Sequence, residues 1–306
     1  MNNIIWQKKG IIIKPLKNCF FSKTHAMIPT PYKIEKGIYK ILYSGRNKIN
    51  QSYITSATID LNKDFKIIKR DLKPILSPGK LGTFDDNGVT PSCLIQINSN
   101  ELALYYIGWN PGSTTRMNIF GGLAISNDKG KTFHRWSEAP IIERNKFNPY
   151  INTAPWVIKN PNSKGFMMYY VSGIEWINKD LPRYNIKIAE SNDGKYWNHK
   201  NNVCINFQND KENALARPYV FHENNIWKMF FSYKGNAYRI GYAESNNGFD
   251  WTRHDDKINF KKSNHKFDNI MMEYASVIKF NNQYHMFYNG NNYGYEGIGY
   301  AIGSNI

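Results

Sequence analysis

Hydrophobic residues in this chain occur in short runs, mostly with every second position apolar, and Gly, Asn or Asp bounds each run. This alternation is typical of strands with one buried face, and the polar breaks are typical of tight turns. No segment carries a sustained helical period with capping residues. The most aromatic runs recur along the sequence as IYKILYSG, LALYYIGW, FMMYYVSG, WKMFFSYKG and YHMFYNGN. The pattern therefore predicts an all-β protein.

A longer unit repeats around these runs. Each copy continues to a short strand ending in Ala-x-Ser, an Asn- or Asp-Gly turn and an aromatic residue. Clear copies lie at 123–136, 188–197 and 242–251, a degenerate copy lies at 54–68, and GYAIGSNI is a truncated copy. Self-similarity with a period of about 45–60 residues is the signature of a propeller of small sheets. Five units account for all 306 residues, so we predict a single five-bladed β-propeller domain over residues 1–306.

Each blade is interpreted as four antiparallel strands, with the innermost strand before the aromatic run. The inner strands begin within HAMIPTPYKI, NGVTPSCLIQI, NTAPWVI, LARPYVF and EYASVIKF. The last blade lacks a fourth strand at the C-terminus, and the sequence from Trp6 to Ile13 resembles the sequence after Trp251. We expect residues of about 4–14 to complete this blade and close the ring, which removes a sheet edge. The alternative is a loose N-terminal arm.

The repeated turns have a structural explanation. Gly and Asn accept the positive φ that tight hairpins need. The sequence Ser126-x-Asp128-x-Gly130 fits an Asp box, in which Ser and Asp side chains bind the turn backbone. We expect these turns on the rim, with no catalytic role.

Composition narrows the choice of partners and compartment. Lys and Arg number 40 against 24 Asp and Glu, a net charge of +16, which favours an anionic partner or reflects only a solvated, Lys-rich surface. The aromatic content is explained by the blades, and no nucleic-acid motif is present, so no nucleic-acid partner is expected. Cys19, Cys93 and Cys204 lie in apolar runs, which indicates buried thiols. Without a signal peptide or membrane segment, we expect a cytoplasmic protein with no cofactor, no metal and no membrane contact.

In a propeller, the starts of the inner strands and the loops between second and third strands share one face around the axis. The inner strands bring His25, Asp85, Asp86, Asn87, Arg217 and Glu273 to this face. The loops bring Arg46, Trp109, Arg116, Glu175, Trp176, Arg183, Tyr238, Arg239 and Tyr293. Carboxylates can act as acid, base or nucleophile, and Trp and Tyr can pack against sugar rings.

Through the repeated Ala-x-Ser-x-Asp-Gly-x-x-Trp units, essentially the whole chain resembles the five-bladed propeller glycosidase superfamily, which includes glycoside hydrolase families 32, 43, 68, 117 and 130. The resemblance implies an Asp base on the first inner strand, a pKa-tuning Asp on the second and a Glu acid on the third. Asp85 and Asp86 match the second position. The first strand offers His25 instead, the third lacks a Glu although Glu175 follows in the next loop, and Glu273 lies on the fifth.

We predict that Asp86, Glu273 and His25 are catalytic. Asp86 precedes an inner strand in a motif unlike the other starts, although it could simply belong to a turn. Glu273 would be an acid or a base, unless an arginine neutralises it. His25 would protonate a leaving group, bind a hydroxyl or phosphate, or serve as a structural histidine.

The arginines suggest an anionic ligand, because guanidinium groups bind carboxylate and phosphate bidentately. The alternative is that they pair with the carboxylates of the same face. The predicted substrate-binding residues are Asp85, Asn87, Arg46, Trp109, Arg116, Glu175, Trp176, Arg183, Arg217, Tyr238, Arg239 and Tyr293.

These observations predict a carbohydrate-active enzyme that acts on a glycosidic or glycosyl-phosphate bond of an acidic sugar, a sugar phosphate or a nucleotide sugar. Such chemistry needs a general acid and a second carboxylate or other nucleophile. Two alternatives remain open at this point. One is a non-catalytic propeller that binds anionic glycans, and the other is a sialidase, which the Asp box and the arginines favour but the number of units does not.

Overall fold

Strands dominate the computed structural model, which describes residues 4–264 and 266–304. The first ten are β1 (Ile5–Ile13), β2 (Thr24–Glu35), β3 (Ile38–Arg46), β4 (Ser52–Asp60), β5 (Lys66–Arg70), β6 (Gly88–Gln96), β7 (Leu102–Pro111), β8 (Met117–Ser126), β9 (His134–Arg135) and β10 (Asn152–Lys159). They are followed by β11 (Phe166–Asn178), β12 (Leu181–Ser191), β13 (Asn198–Ile205), β14 (Ala214–Glu223), β15 (Ile226–Lys234), β16 (Tyr238–Ser245), β17 (Thr252–Arg253), β18 (Glu273–Phe280), β19 (Gln283–Asn289) and β20 (Ile298–Ser304). The helical elements of the described residues are α1 (Asp255–Ile258), α2 (Asn291–Gly294) and 3-10 turns at Phe20–Ser22 and Leu61–Lys63. The all-β prediction is confirmed.

Consecutive strands pair into antiparallel groups. β2 to β5 pair in chain order, as do β6 to β9, β10 to β13 and β14 to β17. β18, β19 and β20 form a separate four-stranded sheet whose remaining strand is β1. β1 runs antiparallel to β20, with Ile5 opposite Ser304 and Ile13 opposite Ile298. The N-terminal strand therefore lies in the same sheet as the last three strands of the sequence.

The first strand of each group packs against the first strand of the next. β2 contacts β6, β6 contacts β10, β10 contacts β14, β14 contacts β18, and β18 contacts β2. Some groups are also joined by single parallel residue pairs, such as Ser52 with Gly88 and Tyr184 with Ala214. These contacts bring the five first strands together, and side chains at their starts are close in space.

β-Bulges interrupt most of these first strands near their starts. The pairing register shifts between Thr153 and Trp156, between Ala216 and Tyr219, and between Glu273 and Ser276. Inside each of these bulges one residue adopts positive φ, and a fourth such residue lies in β2; they are Ile28, Ala154, Arg217 and Tyr274. Because a bulge re-aims the side chains around it, residues there need not alternate between the two faces of the sheet.

The buried core is aromatic and lies along the second strand of each group. Tyr43, Tyr105, Tyr169, Phe230 and Phe287 occupy equivalent places and are completely buried. Two of the tyrosines also bind the turn of the next group. The Tyr105 hydroxyl donates to the carbonyl oxygen of Gly194, and the Tyr169 hydroxyl donates to that of Gly248 at 2.9 Å. The aromatic runs therefore fill the core and also link neighbouring groups.

The Ser-x-Asp turns have the structural role that the sequence predicts. Ser126 Oγ accepts the Gly130 N–H at 2.8 Å, and Asp128 accepts the N–H groups of Lys131 and Thr132. Equivalent networks hold the turns that begin at Ser191 and Ser245. These side chains satisfy the turn backbone, and we assign them no part in chemistry.

Candidate functional site

Glu273 is the most unusual ionisable group in the protein. It is the first residue of β18, it is completely buried, and neither carboxyl oxygen has a hydrogen-bond partner among the described residues. Burial raises the pKa of Glu273 well above its ordinary value, and the nearby Tyr274 hydroxyl and Lys234 ammonium offset only part of this effect. Glu273 is therefore a protonated carboxylic acid at neutral pH, with its proton available for donation.

The bulge in β18 explains how Glu273 and Tyr274 reach the same place. Tyr274 has a φ of 57°, and its N–H donates to Ser232 Oγ on β15 at 2.8 Å. Glu273 itself pairs with Asn289 on β19. In a regular strand, consecutive side chains would point to opposite faces. Here the two side chains interact, because the left-handed residue interrupts the alternation.

Tyrosines from other groups surround this acid. The hydroxyls of Tyr184 and Tyr238 share a hydrogen bond. The Tyr238 ring lies 6.0 Å from the ring of Tyr274 and 6.4 Å from that of Tyr293. Burial raises the pKa values of all four phenols, and the charge of Glu273 would raise them further. The four rings supply flat apolar faces with hydroxyl groups that can bind a sugar.

Three cations border the tyrosines. The Lys234 Nζ atom lies 5.5 Å from the centre of the Tyr238 ring, and burial, helped by Arg116, lowers its pKa. Arg116 and Arg46 both lie near enough to Tyr293 to favour its ionised form. We call Arg46, Arg116, Tyr184, Lys234, Tyr238, Glu273, Tyr274 and Tyr293 the central cluster.

Arg46 has spare hydrogen-bonding capacity at the edge of the central cluster. Its Nη1 atom donates to Asn50 Oδ1 at 2.7 Å, whereas its Nε atom is buried without a partner among the described residues. The guanidinium carbon lies 5.8 Å from the centre of the Trp109 ring. Trp109 in turn donates from Nε1 to Ser52 Oγ at 2.9 Å. Arg46 and Trp109, predicted separately from two loops, are therefore neighbours.

His25 lies next to the central cluster and is uncharged. Its Nδ1 atom is 2.8 Å from Thr24 Oγ1, and its ring meets the edge of Tyr295 at 5.3 Å. Burial, and then the charge of Arg46, lower the pKa of His25 to about 4. The imidazole is therefore neutral at pH 7 and can accept a proton there.

Asp85 and Asp86 are held by local partners. Asp85 is completely buried and accepts hydrogen bonds from Thr83, Tyr106 and Arg135. The Arg135 Nε atom lies 2.8 Å from Asp85 Oδ2. Asp86 accepts the Gly82 N–H at 2.9 Å. The turn role that the sequence left open for Asp86 is thus present. Next to them, the Asn87 N–H donates to the Trp109 carbonyl oxygen at 3.3 Å.

The remaining predicted residues lie on β11 and β12 or are tied to nearby backbone. Arg183 and Glu175 form an ion pair of 2.8 Å, and Trp176 pairs with Pro182 in the same hairpin. Arg239 donates to the carbonyl oxygens of Tyr238 and Ile270. Of the arginines from equivalent loops, Arg46 and Arg116 therefore border the central cluster, whereas Arg183 and Arg239 are occupied by protein partners.

Arg217 lies deeper than the other predicted residues. Its side chain is buried, and Nη2 donates to Thr30 Oγ1 at 2.9 Å. The guanidinium carbon lies 5.4 Å from the centre of the Trp156 ring.

Three members of the central cluster escaped the sequence analysis: Tyr184, Lys234 and Tyr274. Lys234 ends the aromatic run WKMFFSYKG, where it resembles an ordinary solvated lysine. Tyr274 directly follows Glu273, and strict alternation would place it on the other face. The one available signal was their position at the ends of second strands and the starts of inner strands.

Two other searches of the described residues gave negative results. No group of three or more His, Cys, Asp or Glu residues that could hold a metal ion occurs within 4–264 and 266–304. Over the same residues, no helix has the length and apolar character to span a membrane.

Comparison with known sequences gives two close relatives. No protein-family model matches the sequence. "Uncharacterized protein Rv1502" from Mycobacterium tuberculosis strain H37Rv is 34% identical over 298 residues, which cover 97% of this protein and 98% of the relative. "Uncharacterized protein MT1551" from strain CDC 1551 matches to the same extent.

Solved structures share the fold over nearly the full length. A complex of BT0996 with RGII in its name has a TM-score of 0.76 at 18% identity, covering 96% of this protein and 90% of that one. A glycoside hydrolase has a TM-score of 0.75 at 18% identity, with coverages of 98% and 92%. A GH130 structure, from work on glycoside hydrolases that target β-1,2-mannosidic linkages in Candida mannan, has a TM-score of 0.69 at 14% identity, with coverages of 98% and 94%. The resemblance to propeller glycosidases is therefore confirmed at the level of the fold.

Proposed function

This protein belongs to the same family as the M. tuberculosis proteins Rv1502 and MT1551 and has a glycoside hydrolase fold, and from this premise we propose that it is a carbohydrate-active enzyme. Its substrate is an anionic sugar, namely an acidic sugar, a sugar phosphate or a nucleotide sugar. The bond that reacts is glycosidic or glycosyl-phosphate. The fold alone does not determine an activity, so the proposal depends on the central cluster.

The proposed architecture is a single five-bladed propeller over residues 1–306. The antiparallel groups would be its blades, and β1 would complete the last one. The pairing of β1 with β20 and the contact between β18 and β2 support this proposal.

The observation that carries the proposal is the protonated, buried Glu273 at the centre of a ring of tyrosines. Cleavage of a glycosidic bond needs an acid that protonates the leaving oxygen. An acid with a raised pKa keeps its proton at neutral pH and releases it when a better acceptor develops in the transition state. We assign this role to Glu273.

The charge of the central cluster favours an anionic ligand. Because Glu273 is neutral, it does not offset the positive charges of Arg46, Arg116 and Lys234. The buried Nε atom of Arg46 is also free of a partner among the described residues. A carboxylate or phosphate on the sugar would supply both the missing charge and the missing acceptor.

The second catalytic group is proposed to be His25, with Asp86 as the alternative. The neutral imidazole of His25 can take a proton from an attacking water or hydroxyl. Asp86 already caps the turn at Gly82. If inorganic phosphate is the nucleophile, neither base is required.

A second candidate is a non-catalytic propeller that binds anionic glycans. The specific observation in its favour is that Asp85, the match to the family's second carboxylate, is saturated by Thr83, Tyr106 and Arg135. Under this alternative, Glu273 would only donate a hydrogen bond to the bound sugar.

The test is a combined ¹H and ³¹P NMR time course with pools of sugar phosphates, nucleotide sugars and acidic oligosaccharides, each with and without inorganic phosphate. The enzyme proposal predicts a new anomeric signal with the wild-type protein and none with Glu273→Gln. The matched control is Glu138→Gln, because Glu138 is exposed and pairs only locally with Lys80.

The outcomes separate the candidates. Dependence of the new signal on phosphate would indicate phosphorolysis, and its absence would indicate hydrolysis or transfer. Loss of turnover in His25→Ala but not in Asp86→Asn would identify the base. No conversion in any pool, together with line broadening of an anionic sugar that Lys234→Met removes, would replace the enzyme proposal by the binding module.

A further inference from the structure

Arg217 is a buried cation among the five first strands. It lies on β14, and only 1% of its surface is exposed. The backbone has a φ of 51° within the bulge between Ala216 and Tyr219. This geometry directs the guanidinium away from the sheet of β14, towards Thr30 on β2 and Trp156 on β10. Side chains from three different groups therefore meet around one positive charge.

Most N–H donors of this guanidinium lack an acceptor. Nη2 donates to Thr30 Oγ1 at 2.9 Å and to the Pro29 carbonyl oxygen at 3.4 Å. Nε and Nη1 are both buried, and neither has a hydrogen-bond partner among the described residues. Buried donors in native proteins are nearly always matched by protein, water or an ion. The side of Arg217 that carries Nε and Nη1 is thus suited to an external acceptor.

The charge of Arg217 is also unmatched. No carboxylate of the described residues forms an ion pair with it, and the groups that favour its charge are Cys93, Tyr219 and Tyr274. Burial lowers the pKa of Arg217 to about 10, so the side chain stays charged at neutral pH. Burial raises the pKa of Cys93 to about 12 and also raises the pKa values of both tyrosines, so these neighbours are neutral. A buried charge without a counter-charge is strongly destabilising.

We propose that Arg217 binds a small inorganic anion of the chloride class through Nε and Nη1. The anion supplies both acceptors and the counter-charge at once. The near-complete burial of Arg217 favours an ion over a group carried by a sugar, which differs from the substrate-binding role that the sequence predicts. This site is independent of the proposed function, and it would be present in an enzyme or in a binding module.

The test uses sodium chloride alone, exchanged for sodium gluconate at constant ionic strength, with thermal unfolding followed by tryptophan fluorescence. An ion that binds only the folded state should raise the Tm by about 2–4 °C at a chloride concentration about tenfold above its Kd. Arg217→Met, which keeps a long side chain without charge, should show no chloride dependence. Arg144→Met is the control, since Arg144 is exposed, and it should respond to chloride like the wild type.

A second measurement does not depend on the folding of Arg217→Met. Crystals of the wild type soaked in sodium bromide should show an anomalous bromine peak within hydrogen-bonding distance of Arg217 Nε and Nη1. Equal Tm values in chloride and gluconate for the wild type, or a bromide soak without a peak at Arg217, would overturn the proposal and leave water as the acceptor.

Discussion

Ser232 Oγ accepts the backbone N–H of Tyr274 at 2.8 Å, and this bond fixes the bulge that sets the direction of Glu273. Ser232 lies on β15, in the group before the one that carries the acid. The placement of the central acid therefore depends on a hydrogen bond between two neighbouring groups.

Replacing Ser232 by Ala should destabilise the protein and disturb the site. Leaving a buried N–H without an acceptor costs about 1–3 kcal/mol, and any turnover or sugar binding should weaken as Glu273 loses its fixed position. Urea unfolding measures the first effect. Ser137→Ala is the matched control, because Ser137 only caps the exposed Ala139 N–H. Equal losses in the two variants would contradict this account of the bulge.

Glu273→Gln should change how stability depends on pH. The unfolded protein releases the Glu273 proton near the ordinary pKa of 4.5, whereas the folded protein retains it to higher pH because burial raises the pKa. The wild type therefore loses up to about 1.4 kcal/mol of stability per pH unit from this group, from pH 4.5 up to the raised pKa. The variant has no such proton, so its stability relative to the wild type should increase with pH. Urea titrations between pH 5 and about 9 measure this difference. Parallel curves would show that Glu273 ionises normally.

The pKa of His25 should be about 4, and the NMR signal of its ring should titrate there. Because this pKa is lowered, its contribution to stability is present above the ordinary pKa of 6.5 and is lost as pH falls towards 4. Arg46→Gln should move the midpoint upward, since the Arg46 charge is the second cause of the shift after burial. Arg144→Gln should leave the midpoint unchanged. A His25 signal that titrates near 6.5 in the wild type would disagree with the buried placement of this ring.

Tyr169→Phe should weaken the contact between neighbouring groups. It removes the donor to the Gly248 carbonyl oxygen without changing the shape of the aromatic core. We expect a loss of about 1–3 kcal/mol in the free energy of unfolding, because a buried carbonyl loses its partner. Tyr196→Phe, at a side chain that is 71% exposed, should have a much smaller effect. If both variants unfold at the same denaturant concentration, the Tyr169 hydroxyl does not link the groups energetically.

The cysteines should differ in reactivity towards a thiol reagent. Cys93 and Cys204 are buried, and burial raises both thiol pKa values, that of Cys93 to about 12. Cys19 is partly exposed. Because the thiolate is the reactive form, the native protein should react quickly at Cys19 alone, and all three should react after unfolding in urea. Mass spectrometry of modified peptides identifies the sites, and fast native labelling of Cys93 would argue against its burial.

Local sequence signals were sufficient to predict the strands, the turns and the core. Alternation and turn residues act over short distances, so the aromatic runs containing Tyr105 and Tyr169 could be assigned to buried strands, and Ser126 and Asp128 to a turn. The pairing of the N-terminus with the last sheet also followed from the repeat. Each of these features depends on residues close together in the sequence, or on one unit completing another.

Which polar groups share the central cluster depends instead on how the sheets pack. Asp85 is neutralised by Arg135, 50 residues later in the sequence, and Glu175 by Arg183 across a hairpin, whereas Glu273 meets no such partner among the described residues. Lys234 and Tyr274 join Glu273 because a bulge redirects the backbone and because β15 packs beside β18. Periodicity cannot carry this information, since the pKa of a carboxyl depends on burial and on charges brought together from distant parts of the sequence.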